Sequence, residues 1–383
     1  MSTNSDPKFK NFLDEVGLFG QHIVEPAAES WEASGTLPRS YFQQAADKSL
    51  CGLLVPAIDG GQELGIHGFA SVIERLGLHC FSATFALQVQ NNFAFALSKY
   101  GTEQQKHKFL SKMLSGEMIG AFLLTEPGAG SDAAAISTTA KSIGQETWQL
   151  DGTKNWVTNG SNADLLCVYA QTQPGSGSRG IAAFIIDSNR NGITRAKSNR
   201  LYGGNALGTQ EVTFEKCILS KNDMLIAPGK GFRVAMMGID IARTAVAAMC
   251  NGMLARAVSE AIRYTNDRIA FGTRVGNFQA VQFILAECSS ELEAARALTK
   301  TACDAIANSS NVTLSAAHAK KYASRAAFKG IADCMQVMGA NGLSRQYPVA
   351  RLLEGAKIAQ YVDGASEILN VVISRELTNS YLT

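Results

Sequence analysis

The sequence predicts a mainly α-helical protein with a β domain in the middle of the chain. Up to about residue 117, apolar residues recur with helical spacing in short segments separated by glycine and proline. From Met118 onward, apolar runs such as 119–124 and 181–186 are bounded by Gly, Asn, Asp and Ser, which is typical of strands. Beyond Gly231 the helical spacing returns in longer segments.

These changes of pattern divide the chain into three predicted domains. They are an N-terminal α-helical domain over 1–117, a middle β domain over 118–222 and a C-terminal four-helix bundle over 223–383. Helical patterns in the first domain include 40–46, 68–76 and 103–114. The four long helices are predicted at 232–268, 277–307, 312–338 and 364–380.

Composition excludes several classes of protein. Of 383 residues, 46% are hydrophobic and 18% charged, which argues against a disordered scaffold. A net charge of +2 gives no general attraction to nucleic acid or to an anionic membrane. Eight scattered cysteines and five dispersed histidines lack the spacing of a metal site, so we predict buried free thiols and no metal.

The first 19 residues lack the apolar core of a signal peptide and the arginine-rich pattern of a transit peptide. No uninterrupted apolar run is long enough to span a bilayer. We therefore expect a cytoplasmic protein with neither a membrane nor a nucleic acid as partner.

One glycine-rich motif matches the spacing of a dinucleotide-binding site but lacks its structural context. Residues 175–180, Gly-Ser-Gly-Ser-Arg-Gly, match the G-x-G-x-x-G spacing of a dinucleotide site and follow a strand. The next segment, 181–186, is also predicted to be a strand, whereas that site needs a helix N-terminus to hold the pyrophosphate. We interpret the motif as a hairpin loop.

Two other segments favour a ligand site. Residues 124–132, Leu-Thr-Glu-Pro-Gly-Ala-Gly-Ser-Asp, end a strand in a turn of small residues that lets backbone N–H groups approach a ligand. In residues 154–160, Lys-Asn-Trp-Val-Thr-Asn-Gly, Trp156 and Thr158 share one face of a strand. A planar ring could stack and form a hydrogen bond there.

With the motifs that follow them, these segments resemble the acyl-CoA dehydrogenase family of flavoproteins. The resemblance implies the family fold, an N-terminal helical domain, a β-barrel-like middle domain and a C-terminal four-helix bundle. The further motifs are Gly229-Lys230-Gly231-Phe232, Ile239 to Arg243, Arg268-Ile269-Ala270-Phe271-Gly272, Gln336 to Gly342 with Tyr347-Pro348, and Asp363-Gly364-Ala365-Ser366-Glu367-Ile368.

The resemblance implies FAD as cofactor. Leu124, Thr125, Trp156 and Thr158 match positions around the flavin ring. The positions that hold the rest of the cofactor, partly from a neighbouring subunit, are matched by Arg268, Phe271, Gln279, Gln336, Gly339 and Glu367. This sharing implies a dimer or the family's usual homotetramer, a dimer of dimers, and we expect the homotetramer.

The resemblance also implies a catalytic base that removes the substrate α-proton. The family usually has Glu at the position of Asp363, and the alternative position on the first long helix is Ala242 here, which leaves Asp363. Its side chain is one methylene shorter than Glu. Substrate contacts are implied at Ser131, Asp240, Arg243 and Gly364, although Ser131 could equally cap its turn and Arg243 could pair with a carboxylate.

The implied activity is an α,β-dehydrogenation of acyl-CoA or another acyl thioester, with an electron-transfer flavoprotein as acceptor. Three alternatives stay open: a nitroalkane oxidase-like flavin oxidase, a dehydrogenase of carrier-protein-bound acyl groups, and a catalytically silent scaffold. The oxidases carry Arg seven residues after their Asp base, where this chain has Asn370. Amides within 83–93 favour a short, polar or ring-bearing acyl group, and the absence of arginine there disfavours a dicarboxylate.

Overall fold

The N-terminal segment is helical in the computed structural model, which describes residues 6–196 and 200–382. π-Helical turns at Gly20–Val24 and Lys106–Leu110 join consecutive helices. In chain order the helices are α1 Pro7–Phe19, α2 Glu25–Ser34, α3 Arg39–Asp47, α4 Gly65–Gly77, α5 Phe81–Tyr100, α6 Glu103–Gln105 and α7 Ser111–Leu114. Helix α5 is buried on nearly all sides, so it lacks the polar face that makes helical periodicity visible in a sequence.

The middle segment forms a sheet with the strand order β6-β7-β3-β2-β4-β5-β8, and β1 pairs in parallel with β4. The strands are β1 Gly120–Leu123, β2 Thr139–Gly144, β3 Thr147–Val157, β4 Leu165–Gln171, β5 Ile181–Asp187, β6 Ile193–Arg195, β7 Gln210–Ser220 and β8 Met224–Ile226. Strands β4 and β5 are antiparallel neighbours. The predicted hairpin loop at 175–180 is thereby confirmed, because no helix start follows its glycines.

The C-terminal segment is a helical bundle. A short hairpin of β9 (Ile269–Ala270) and β10 (Thr273–Arg274) separates its first two helices. The helices are α8 Gly231–Asp267, α9 Gln279–Ala307, α10 Val312–Val337, α11 Val349–Ala359 and α12 Ser366–Leu382. The sequence predicts four of them, and α11 is an additional helix.

Helix α8 is the central element of the molecule. It packs against α10, α9, α4 and α5, and a Cβ added at Gly77 of α4 would lie 2.7 Å from the Met249 carbonyl oxygen of α8. Among the described residues, α8 is the one helix that is long and apolar enough to cross a membrane, but 67% of its apolar window is buried inside the protein. This burial suits the central helix of a bundle.

The N-terminal helices end at Leu114, and the sheet begins at Gly120. Strand β8 pairs with β5 although it lies beyond residue 222. The domain boundaries near 117 and 222 stay predictions. The eight cysteines are buried and free, as predicted.

Candidate active site

An apolar cavity of about 100 Å³ lies where the three segments meet. Helix α5 and the first turns of α8 form two of its walls, and β1 and β4 contribute Phe122 and Tyr169. Apolar side chains such as Phe93 and Ile239 make up most of the lining, and the Asp363 side chain also lines it. A carboxylate is thus placed beside a space that suits an acyl chain.

Asp363 lies in the turn between α11 and α12 with φ of +53°, and Gly364 follows with φ of +102°. A positive φ is uncommon for a non-glycine residue and indicates a conformation that the surroundings enforce. The Oδ2 atom of Asp363 is buried and has no hydrogen-bond partner among the described residues. Burial raises the pKa of Asp363 to about 6, against the opposing effects of Lys320 and Arg243.

Helix α8 fixes the Asp363 turn through Arg243. Arg243 donates from Nε to the Asp363 carbonyl oxygen (2.9 Å) and from Nη1 to Asp240 Oδ1 (3.0 Å). Thr313 donates to the other Asp240 oxygen at 2.7 Å. Asp240 and Arg243 are therefore both buried and engaged with the protein, which is the carboxylate pairing that the sequence left open for Arg243.

Lys320 of α10 holds the same turn from another side. Its side chain is fully buried, and Nζ donates to the Gly364 carbonyl oxygen (2.7 Å) and to the Gln360 carbonyl oxygen (3.1 Å). Burial lowers the pKa of Lys320 to about 8, against the opposing effect of Asp363. No motif in the sequence marks this lysine, because a single lysine in an alanine-rich helix carries no signal of its own.

A second group of predicted residues lies at the ends of β1 and β3. Trp156 is 59% exposed and has φ of +57°, and its backbone N–H donates to Asn155 Oδ1 (2.8 Å). Thr125 and Thr158 are half-buried, and Leu124 is buried. Strand β3 ends at Val157 after a register shift between Lys154 and Val157, so Thr158 lies outside the strand and the predicted shared strand face is wrong. An exposed indole held at positive φ, with a threonine two residues further on, fits a planar ring ligand.

A buried ion pair joins these two segments. Lys154 Nζ donates to Glu126 Oε1 (2.7 Å) and to the Leu124 carbonyl oxygen (2.9 Å). The Asn155 backbone N–H donates to the Thr125 carbonyl oxygen (2.8 Å). Lys154 and its hydrogen bonds lower the pKa of Glu126 to about 2, although burial opposes this shift. The pair fixes the turn after β1 against the end of β3.

The remaining predicted site residues lie on the surface of the single chain. Phe271 has φ of +53° and is 96% exposed. Arg268 borders an open cleft of about 310 Å³ together with Tyr264 and Tyr347. The other exposed members of the predicted set are Ser131, Gln279, Gln336, Gly339 and Glu367. None of these residues lines the Asp363 cavity of its own chain, although Glu367 lies in the first turn of α12, four residues after Asp363.

Comparison with known proteins gives the same family for all three segments. The acyl-CoA dehydrogenase N-terminal, middle and C-terminal domain models match residues 6–117, 121–217 and 229–378. An acyl-CoA dehydrogenase of Bacillus subtilis (strain 168) is 34% identical over 364 residues, which are 94% of this chain and 95% of that protein.

Solved structures agree with this. The butyryl-CoA dehydrogenase of Megasphaera elsdenii is 31% identical, with a TM-score of 0.94 over 99% of this chain and 100% of its own. A chain of a structure described as the electron transferring flavoprotein of Acidaminococcus fermentans is 32% identical, with a TM-score of 0.93 over 98% of this chain and 99% of its own. The protein belongs to the acyl-CoA dehydrogenase family. The resemblance and the fold class predicted from the sequence are confirmed.

Proposed function

We propose that this protein is an FAD-dependent dehydrogenase that converts an acyl-CoA thioester into the 2-enoyl thioester. The observation that carries the proposal is the Asp363 carboxyl group, which has an unpartnered buried oxygen beside an apolar cavity. Family membership and the similarity to the butyryl-CoA dehydrogenase of Megasphaera elsdenii support the substrate class. In this proposal Asp363 is the catalytic base.

Asp363 removes the α-proton of the acyl group. Its pKa of about 6 leaves it mostly ionised at neutral pH and makes it a stronger base than an ordinary aspartate. The apolar lining excludes water that would compete for the carboxylate. The Asp363 backbone N–H would donate to the thioester oxygen as negative charge develops there, and Arg243 fixes the turn through its hydrogen bond to the Asp363 carbonyl oxygen.

Leu124, Thr125, Trp156 and Thr158 would hold the flavin ring, with the Trp156 indole stacked on one face. When bound, the flavin supplies the acceptor for the hydride from the substrate β-carbon. The buried Lys154–Glu126 pair keeps the two ring-binding segments in register.

The outer part of FAD would be held by the exposed set Arg268, Phe271, Gln279, Gln336, Gly339 and Glu367. Arginine suits phosphate because its planar, permanently charged guanidinium donates two parallel hydrogen bonds. Arg268, Phe271 and Gln279 do not line the Asp363 cavity of their own chain, and in this proposal a neighbouring subunit would supply part of the set, in a homotetramer. Ser131 and Gly364 would contact the CoA thioester, and Asp240 and Arg243 would act through the Asp363 turn. An electron-transfer flavoprotein would reoxidise the enzyme.

The test is anaerobic addition of butanoyl-CoA to the purified holoenzyme, followed by flavin absorbance. We expect the flavin to be reduced, and Asp363→Asn to slow its reduction by about 100- to 10,000-fold because general-base catalysis contributes that much. Asp47→Asn, at an exposed position of α3, is the matched control and should reduce at the native rate. Native reduction by Asp363→Asn would contradict the assignment of the base.

Two other outcomes identify the alternative functions. Stoichiometric hydrogen peroxide in aerated solution would indicate an oxidase. A flavin that no acyl thioester reduces, with either CoA or a carrier protein as the thiol, would indicate a silent scaffold.

A further inference from the structure

Helix α5 carries four side-chain amides within five residues: Gln88, Gln90, Asn91 and Asn92. They fall into two groups according to whether the amide oxygen has a hydrogen-bond partner. The Gln90 amide donates to two backbone carbonyls at 2.9 Å each and accepts a backbone N–H at 2.7 Å. Asn91 is satisfied in the same manner by three backbone groups. These two amides bind α5 to its neighbours. Gln88 and Asn92 do not share that role.

Gln88 is only 1% exposed, and its Oε1 has no hydrogen-bond partner among the described residues. The Asn92 Oδ1 is likewise buried and unpartnered. The two residues are four positions apart on one helix, so they lie side by side on the same face. Both line the cavity that Asp363 also lines. Buried polar groups normally have hydrogen-bond partners. We infer that the partner of these two amides is a ligand bound in the cavity.

We propose that the cavity binds a short acyl group with a hydroxyl beyond its β-carbon, and that Gln88 and Asn92 form hydrogen bonds with that hydroxyl. This inference rests on the proposed function, because it takes the acyl chain as the occupant of the cavity. A hydroxyl has one donor and two acceptor lone pairs, so it can donate to one of the two unpartnered amide oxygens while it accepts from the amide N–H of the other residue. The hydroxyl takes no part in the dehydrogenation at the α- and β-carbons.

The size of the cavity agrees with a short chain. Its volume of about 100 Å³ is smaller than the roughly 150 Å³ that accommodates benzene in a protein core, and it suits about four non-hydrogen atoms. A saturated alkyl chain of that size would fill the space but would leave both amides unpaired.

Charge at the cavity argues for a neutral group. Lys99 is the cationic side chain that lines the cavity, but it is exposed, and its Nζ lies 5.8 Å and 5.6 Å from the ring centres of Phe95 and Tyr100. The unpartnered atoms of Gln88 and Asn92 are oxygens, which would repel a carboxylate. A terminal carboxylate held by Lys99 is therefore the competing outcome of the test.

The test compares 4-hydroxybutanoyl-CoA with pentanoyl-CoA, which have equal numbers of non-hydrogen atoms and differ by hydroxyl against methyl. Rates of anaerobic flavin reduction are measured with the holoenzyme. Affinities are measured by calorimetry with Asp363→Asn, which slows turnover. We expect the hydroxylated substrate to be favoured at least about tenfold in both measurements, because a site built for a hydroxyl rejects the analogue that lacks it.

The double variant Gln88→Leu/Asn92→Leu should reverse this preference in favour of pentanoyl-CoA. The ratio of the two substrates is the readout, so a general loss of stability does not imitate the result. Equal rates for the two substrates with the native enzyme would overturn the inference, and so would a preference for glutaryl-CoA. If neither these nor butanoyl-CoA reduces the flavin, the proposed function itself fails.

Discussion

Asp363 can accept a proton only when it is ionised, and burial works against that form. Its pKa of about 6 is above the usual range of aspartate, so the ionised fraction rises from about 10% at pH 5 to about 90% at pH 7. We expect the rate of flavin reduction by butanoyl-CoA to rise about tenfold per pH unit below pH 6 and to level off above pH 7. Stopped-flow measurements under saturating substrate check this. A flat profile from pH 5 to pH 8 would assign proton abstraction to another group.

Individual side chains also mark the limit of prediction from sequence. The resemblance selects Asp363 by its position before Gly364, but its positive φ and unpartnered oxygen become visible only in the fold. The same holds for the α5 amides. Gln88 and Gln90 are chemically identical, and only the backbone groups brought near by other elements determine that Gln90 is paired and Gln88 is not.

At the scale of elements, Lys320 connects α10 to the turn that carries Asp363. Replacing it by methionine removes the donor from two carbonyls, which costs about 1–3 kcal/mol of unfolding free energy for each buried group left unpaired. It also removes a positive charge that lowers the pKa of Asp363. We therefore expect Lys320→Met to lower the melting temperature and to move the acidic limb of the pH–rate profile to higher pH.

Thermal unfolding and the pH dependence of flavin reduction measure the two effects separately. Lys321→Met is the matched control, because Lys321 is the next residue on α10 and makes no ion pair among the described residues. It should change neither quantity. If Lys320→Met lowers stability but leaves the pH profile in place, Lys320 is structural and does not tune the base.

The elements themselves were predictable to different degrees. The three long helices α8, α9 and α10 begin and end within two residues of their predicted bounds, because their apolar periodicity continues over many turns. Helix α11 was missed since it is short and lies between two glycine-containing turns. The π-helical turn at Lys106–Leu110 divides a segment whose composition is ordinary for an α-helix, so no local signal marks it.

At the scale of the whole molecule, the predicted cofactor residues fall into two groups. Trp156 and its neighbours belong to the middle segment, whereas Phe271 and Arg268 lie on the surface of the C-terminal segment. The family motifs in the sequence predict both groups of residues, but they do not specify where the groups lie relative to each other in one chain. In the proposed FAD site, a second subunit would bring Arg268 and Phe271 to the ring-binding residues.

Phe271 offers a test of that requirement. Its ring is 96% exposed and meets Phe278 edge-on, with ring centres 6.2 Å apart. In the proposed tetramer the ring is covered by another subunit and by FAD, so a carboxylate placed there would be desolvated without a partner. We therefore expect Phe271→Asp to shift the molar mass measured by light scattering towards dimer or monomer. We also expect it to weaken FAD retention by about tenfold or more, because a single anchor residue often contributes that much.

Ile58→Asp is the control for this variant, because Ile58 is 94% exposed in a turn of the N-terminal segment. It should keep the native mass and flavin content, which separates the effect of the site from that of adding any surface carboxylate. The two readouts also distinguish two mechanisms. Loss of FAD with an intact tetramer would mean that Phe271 contacts the cofactor without holding the subunits together. Native mass and native flavin content in Phe271→Asp would show that each chain binds FAD without this face, and the shared site would have to be abandoned.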